Sequence, residues 1–258
     1  MFLEGIVKQF RIIKDRRVLK ELYLRVKESD LYDRKLGMYK VNAPLRDQPI
    51  EIGRAKAFTP GWLENESIWL HMEYKYMLEL IRSGLYDEFY QDFKNVIVAF
   101  LEPGVYGRSP LENSSFIVSS AYPDESLHGA GFVARLTGAN AEFLSIWKNM
   151  FIGDKPFTVE NGELVLTFKP ALPGWLFDEE GKASFKLLGK CMVTYYNPRR
   201  VDTWRLDLGM AKIILHMKNE DRVEVKGNSV RGDLALKIRS GEVEAVDIYL
   251  PENYCIQY

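Results

Sequence analysis

The 258-residue sequence predicts an α+β protein of two parts, helical from residue 1 to 153 and β-rich from 154 to 258. Two observations carry this division. Up to Gly153 apolar residues recur every three or four positions; beyond it short stretches alternate apolar and polar residues between Gly, Asn and Pro turns. A third observation, 47% hydrophobic residues, makes room for a sizeable core.

In chain order, Ile6, Phe10, Ile13, Leu19, Leu22 and Val26 mark one or two amphipathic helices over residues 3 to 28. Residues 30 to 56 lose periodicity and carry Gly37, Pro44, Pro49 and Gly53, which predicts a long connection with a few extended pieces. The stretch Ala57 to His71 then organises the helical part. A Pro60-Gly61 turn leads to Asn65 and Glu66, an N-cap and a first-turn acid for a helix over 65 to 83. Ile68, Trp69, Met72, Tyr76, Met77, Leu80 and Ile81 form one face, and Leu70, Tyr74 and Leu78 add apolar groups opposite, so the helix is expected to pack on both sides. Phe89, Phe93, Val96, Ile97 and Phe100 mark the next helix, joined through Ser83-Gly84 and therefore antiparallel to its neighbour. Residues 102 to 127 are polar and irregular, with Arg108 and Glu112 as candidate ligand contacts. Thr137 sits at the expected N-cap of a helix bearing Ala139, Phe143, Ile146, Trp147 and Met150.

In the β-rich part, residues 158 to 168 read strand, Asn161-Gly162 turn, strand. Further strands are expected at 183–187, 191–195, 211–216, 222–225, 234–238 and 243–249, as an antiparallel sandwich with His216 on a strand face.

Composition narrows the function. With 35 basic against 36 acidic residues and no long run of one sign, the composition offers no electrostatic case for nucleic acid or an anionic membrane, and neither is expected as a partner. Cys191 and Cys255 have no metal-ligand spacing, which predicts free thiols and a cytoplasmic, reducing setting. No apolar run is long enough to span a bilayer. There is no G-x-S-x-G elbow and no H-E-x-x-H, and Gly129 and Gly131 lack the third glycine of a dinucleotide fingerprint. What remains is a constellation at two helix starts: Glu64, Glu66 and His71 at one, Arg135, Thr137 and Gly138 at the other. His71 reads either as a core histidine bonded to a carboxylate or as a ligand contact. The Thr-Gly helix start offers unpaired N–H groups and a hydroxyl to an anion such as phosphate.

These two segments resemble inverting β-glycoside phosphorylases of the cellobiose phosphorylase type, glycoside hydrolase family 94 and related β-glucan phosphorylases. The family's K-P-G-x-x-E-N-G-G-x-x-x-H is similar to Thr59-Pro-Gly-Trp-Leu-Glu-Asn-Glu-Ser-Ile-Trp-Leu-His71, and its W-x-T-G-T-A-x-W to the stretch Val133 to Phe143. Phe151-Ile-Gly-Asp-Lys-Pro156 and Pro170-Ala-Leu-Pro-Gly-Trp175 follow in the family's order, so the likeness covers about residues 50 to 177. Two departures are Glu66-Ser67 for the family's G-G, and Ala139-Asn140 for its T-A.

The resemblance implies the last helices of an (α/α)6 barrel followed by an antiparallel β-sandwich-like domain. It places His71, Thr137 and Gly138 at phosphate-binding positions and Glu64 at a sugar-contacting one, with no metal. The implied reaction is cleavage of a β-linked glucoside or oligoglucan by inorganic phosphate as co-substrate, without another cofactor, giving a sugar 1-phosphate with inversion. The family's catalytic aspartate lies upstream of the histidine motif, so this chain is expected to be a C-terminal portion, inactive until the N-terminal barrel portion is supplied, with a homodimer as a further assembly. The rival expectations are a non-catalytic carbohydrate-binding module and a glycoside hydrolase using Glu64 or Glu66.

Overall fold

The computed structural model describes residues 1–133 and 137–251; residues 134–136 and 252–258 and the Thr137 side chain lie outside the description. It is a mixed α+β chain that divides into two compact units, Met1–Trp147 and Lys148–Tyr258, where the sequence suggested 153/154.

The first unit opens with helices α1 (Leu3–Ile12) and α2 (Arg16–Glu28). They are two because Asp15 caps the second, its carboxylate accepting the Arg17 N–H at 2.9 Å. A short hairpin follows, β1 (Tyr32–Asp33) and β2 (Met38–Tyr39), and then two single 3₁₀ turns. Strand β3 (Ile68–Trp69) runs directly into α3 (Leu70–Arg82), and Gly84, at φ +74°, turns the chain into α4 (Tyr86–Val96). After the short α5 (Pro103–Tyr106) come β4 (Phe116–Ile117), β5 (Gly131–Phe132) and α6 (Thr137–Ile152). The boundary between the two units falls inside α6.

Helix α3 is the central element of this unit. Leu70, Tyr74, Tyr76, Met77, Leu78, Leu80 and Ile81 are all buried, as an apolar circumference requires. Phe10 of α1 meets Tyr76 edge to face at 5.6 Å. Its start differs from the expectation at 65. Ile68 and Trp69 are taken into a three-stranded sheet with β4 and β5, so the helix begins at Leu70. Asn65 is not its cap; its side-chain amide donates to the Phe58 carbonyl at 2.7 Å. Residues 62–66 instead form a tight turn, with Leu63 at φ +51° and Glu66 at φ +55°.

The second unit contains β6 (Phe157–Glu160), β7 (Glu163–Thr167), β8 (Lys182–Leu187), β9 (Cys191–Tyr196), β10 (Lys212–Met217), β11 (Arg222–Lys226), β12 (Ser229–Arg231), α7 (Gly232–Ser240) and β13 (Val243–Tyr249). The Asn161-Gly162 turn joins β6 to β7 with φ of +51° and +82°, the primed geometry that matches strand twist. These strands form a three-stranded sheet β12-β7-β6 and a five-stranded sheet β11-β10-β13-β9-β8.

Two expectations change here. The pairing is not antiparallel throughout: β13 inserts between β10 and β9 and runs parallel to β9. A parallel partner needs a long crossover, which local alternation does not disclose. Residues 234–238 are helical, not a strand. Leu-Ala-Leu-Lys-Ile alternates, but Ala, Leu and Lys favour helix, Lys237 pairs with Asp233 at 2.8 Å, and Gly241 at φ +86° closes the last turn. Residues 170–175 are pinned to the 202–203 segment, where Thr203 Oγ1 accepts the Leu172 N–H and Asp202 the Gly174 N–H. Among the described residues, no helix is long and apolar enough to cross a membrane.

Candidate functional site

The three-stranded sheet of the first unit explains how two helix starts distant in sequence come together. Strands β3 and β5 both pair antiparallel with β4, so they run parallel to one another with β4 between. At about 4.8 Å per strand they are about 10 Å apart. Strand β3 feeds α3 and β5 leads toward α6, so both helices start at the same edge of the sheet.

Ser115 ties the two exits. Its carbonyl accepts the Leu70 N–H at 3.2 Å, its N–H reaches the Phe132 and Val133 carbonyls at 3.0 and 2.6 Å, and its hydroxyl donates to Val133 O at 2.7 Å. Asn113 makes a second bridge. It accepts from the Tyr74 hydroxyl of α3 at 2.9 Å and donates to Asn140 Oδ1 of α6 at 2.7 Å. Neither residue stood out in the sequence, where 102–127 read as irregular; the pairing of Phe116 with both Trp69 and Phe132 exists only in three dimensions.

His71, the second residue of α3, lies against the first turn of α6. A Cβ on Gly138 would sit 2.7 Å from both Cε1 and Nδ1 of the imidazole, so only glycine accommodates the ring at this distance. The two residues proposed from separate motifs are therefore in direct contact. Nε2 of His71 is 3.7 Å from Glu142 Oε1, an electrostatic neighbour rather than a hydrogen bond. Burial and the charge of Lys75 lower the His71 pKa, with Glu142 opposing, so the ring is a neutral donor near pH 7. The residue is half-buried, its side chain 29% exposed. Thr137 is the first residue of α6 rather than its cap, and its hydroxyl and Arg135 lie outside the described residues.

The acids behave differently from one another. Glu64 sits in the 62–66 turn, where its carboxylate pairs with Arg54 and its carbonyl accepts from Asn42 at 2.9 Å. Its hydrogen bonds run outward from that turn to Arg54 and Asn42, and among the described residues its carboxylate pairs with Arg54 rather than His71. Glu66 is buried and ion-paired with Lys40 at 2.9 Å, while Asn42 Oδ1 accepts its N–H at 2.6 Å. That pairing sets the Glu66 carboxylate against a largely buried ammonium group. In the irregular segment Arg108 donates to the Gly131 carbonyl at 2.7 Å and lies 3.8 Å from Glu112, so it supports β5. Gly61 packs so closely that a Cβ would lie 2.4 Å from the Tyr122 nitrogen.

Beside these helix starts lies an aromatic row. Trp69, Phe116 and Phe132 are cross-strand partners, stacked at 6.1 and 5.7 Å, and Trp62 packs over Phe116 and Phe132 at 5.1 and 4.7 Å. Among the described residues no group of three or more His, Cys, Asp or Glu could hold a metal ion. No protein-family model matches the chain, and no curated protein matches it.

Proposed function

We propose that this chain carries the phosphate-binding part of an inverting β-glucoside or β-glucan phosphorylase, a hexosyl-transferring enzyme. The observation that carries the reading is the contact between the His71 ring and the Gly138 backbone at the start of α6. In this reading the first-turn N–H groups of α6, which have no partner within the helix, donate to phosphate oxygens, and the neutral His71 ring adds a donor from α3. Phosphorolysis needs such donors because phosphate takes the place of the activated water of an inverting hydrolase. Holding it in line supplies the proximity term of catalysis, and the surrounding dipoles supply the electrostatic one.

The sugar would lie toward Glu64 and the half-buried Trp62 and Trp69. The general acid is not assigned to any residue of this site. The same reading takes the helices of the first unit as part of an (α/α)6 barrel and the sheets of the second as a sandwich-like domain.

Calorimetry of phosphate binding to the chain and to His71→Ala, at low ionic strength, tests the proposal. Millimolar or tighter binding lost in the variant supports it. Undiminished binding in His71→Ala, or no binding by the folded chain even with an upstream barrel portion added, overturns it.

A further inference from the structure

The five-stranded sheet of the second unit has one buried and one open face. Val193, Tyr195, Ile213, Leu215, Val246 and Ile248 fill the buried side. On the other side the strand register aligns side chains into rows that no single strand contains.

One row crosses all five strands: Lys182 opposite Tyr196, Tyr196 opposite Tyr249, Tyr249 opposite Lys212, and Lys212 opposite Lys226. At about 4.8 Å per strand it is about 19 Å long. Four residues away along β8, a second row runs Lys186, Met192, Ala245, His216 and Arg222. Between them lie Ser184, Thr194, Asp247, Ile214 and Glu224. The strands bring five cationic side chains and two acids to this face, in a chain whose overall formal charge is −1. Lys182 also pairs with Glu180 at the edge of the row and Lys212 lies 4.0 Å from Glu224, which leaves Lys186, Arg222 and Lys226 in excess over the acids.

The aromatic pair at its centre is organised. Tyr196 and Tyr249 stack at 4.6 Å with 10° between their planes. The Lys182 and Lys212 ammonium groups lie 5.8 and 5.1 Å from the Tyr196 and Tyr249 ring centroids. Asp247 fixes the pair from beside it, accepting from the Tyr196 hydroxyl at 3.3 Å and bonding His216 Nε2 at 2.7 Å. Tyr249 is 38% exposed and the Lys212 side chain 46%.

We propose that this face binds single-stranded nucleic acid. Charge complementarity calls for an anionic ligand, and tyrosines interleaved with lysines on an open sheet suit one that alternates phosphates with flat rings. Lys182 and Lys212 are long and flexible, so an incoming base can take the ring surface while the ammonium moves to the adjacent phosphate. A protein partner fits less well, because interface cores are poor in lysine. An acidic membrane would use the cations but not the ordered tyrosine pair.

The test is fluorescence anisotropy of the full chain with labelled 15-nucleotide oligo-U and oligo-dT from 50 to 200 mM KCl, alongside vesicles of phosphatidylserine and phosphatidylcholine and an oligo-Glu peptide. Binding is expected to weaken with salt, the log–log slope being about −0.7 per phosphate contacted. Lys182→Gln with Lys212→Gln should make that slope shallower by roughly 1.4. Tyr249→Ala should weaken binding at least about fivefold with the slope unchanged, the signature of lost stacking. Circular dichroism checks that each variant remains folded, and Arg222→Gln gives a third position on the same face. Absence of oligonucleotide binding at 50 mM KCl overturns the proposal. So does binding indifferent to Tyr249→Ala, or vesicles or peptide binding as tightly as the oligonucleotides.

Discussion

The Glu73→Gln substitution separates a neutral from an ionised acid at the centre of the first unit. Glu73 is fully buried on α3, two residues after His71. Its Oε1 accepts the Tyr39 N–H at 2.7 Å, and its Oε2 has no hydrogen-bond partner. The neighbouring acids are better provided. Asp92 receives the Tyr23 hydroxyl at 3.0 Å and Lys27 Nζ at 2.6 Å, and Asp33 receives the Ser120 N–H at 2.6 Å. Burial first, then the charges of Asp92 and Asp33, hold the Glu73 pKa well above the carboxylate range, against the one N–H bond that favours ionisation.

The sign follows from linkage. A carboxyl whose folded pKa is raised keeps its proton in the fold while the unfolded chain releases it. Its contribution to stability is therefore intact below the unfolded pKa and declines as pH rises toward the folded one. Glutamine keeps the shape and the acceptor for Tyr39 without the titration. The stability of Glu73→Gln relative to the parent should thus rise by about 1.4 kcal/mol per pH unit above about pH 5, levelling where the folded carboxyl ionises. Urea unfolding of both proteins at pH 5, 6, 7 and 8, compared at equal m, measures the gap. A gap that stays constant or narrows with pH would mean that Glu73 is charged in the fold and refute the reasoning. Glu73→Ala, which strands the Tyr39 N–H and opens a cavity, should cost about 2–5 kcal/mol at pH 5.

Four further expectations concern the site and the second unit. Gly138→Ala forces the His71 ring off α6 and should weaken phosphate binding by on the order of tenfold in calorimetry, with little change in circular dichroism. Because the His71 pKa is lowered, sulfate, whose charge is constant, should bind more tightly as pH falls from 7 to 5, and His71→Ala should lose that pH dependence. Gly174→Ala places a Cβ 1.8 Å from the Arg200 carbonyl oxygen and should destabilise the protein by about 1–3 kcal/mol, read as a lower Tm. Burial raises the Cys191 thiol to about 11, so at pH 8 roughly one molecule in a thousand is thiolate, and peptide mass spectrometry should find Cys191 unalkylated until denaturant is added.

The sequence by itself determined what depends on near neighbours. The circumference of α3, the hairpin at Asn161-Gly162, most strands of the second unit and the mixed α+β class follow from periodicity and turn chemistry, interactions of a few residues' range. His71 and Gly138 were also legible as candidates, each from its own segment. Their contact was not, because it depends on β3 and β5 sharing β4, and no local pattern states which short strands will pair. The same cause shortened α3, since Ile68 and Trp69 found strand partners, and hid the bridges made by Ser115 and Asn113. Glu66 was legible as an acid near the helix start, but its ion pair with Lys40, 26 residues away in sequence, was not. Alternation misread 234–238 because an isolated five-residue run fits either period, and a capping glycine with an ion pair one turn apart decided for helix. Charge shows the contrast most plainly. Composition counts charges along the chain and finds them balanced, whereas sheet register gathers residues from five strands onto one face, and electrostatics acts through space.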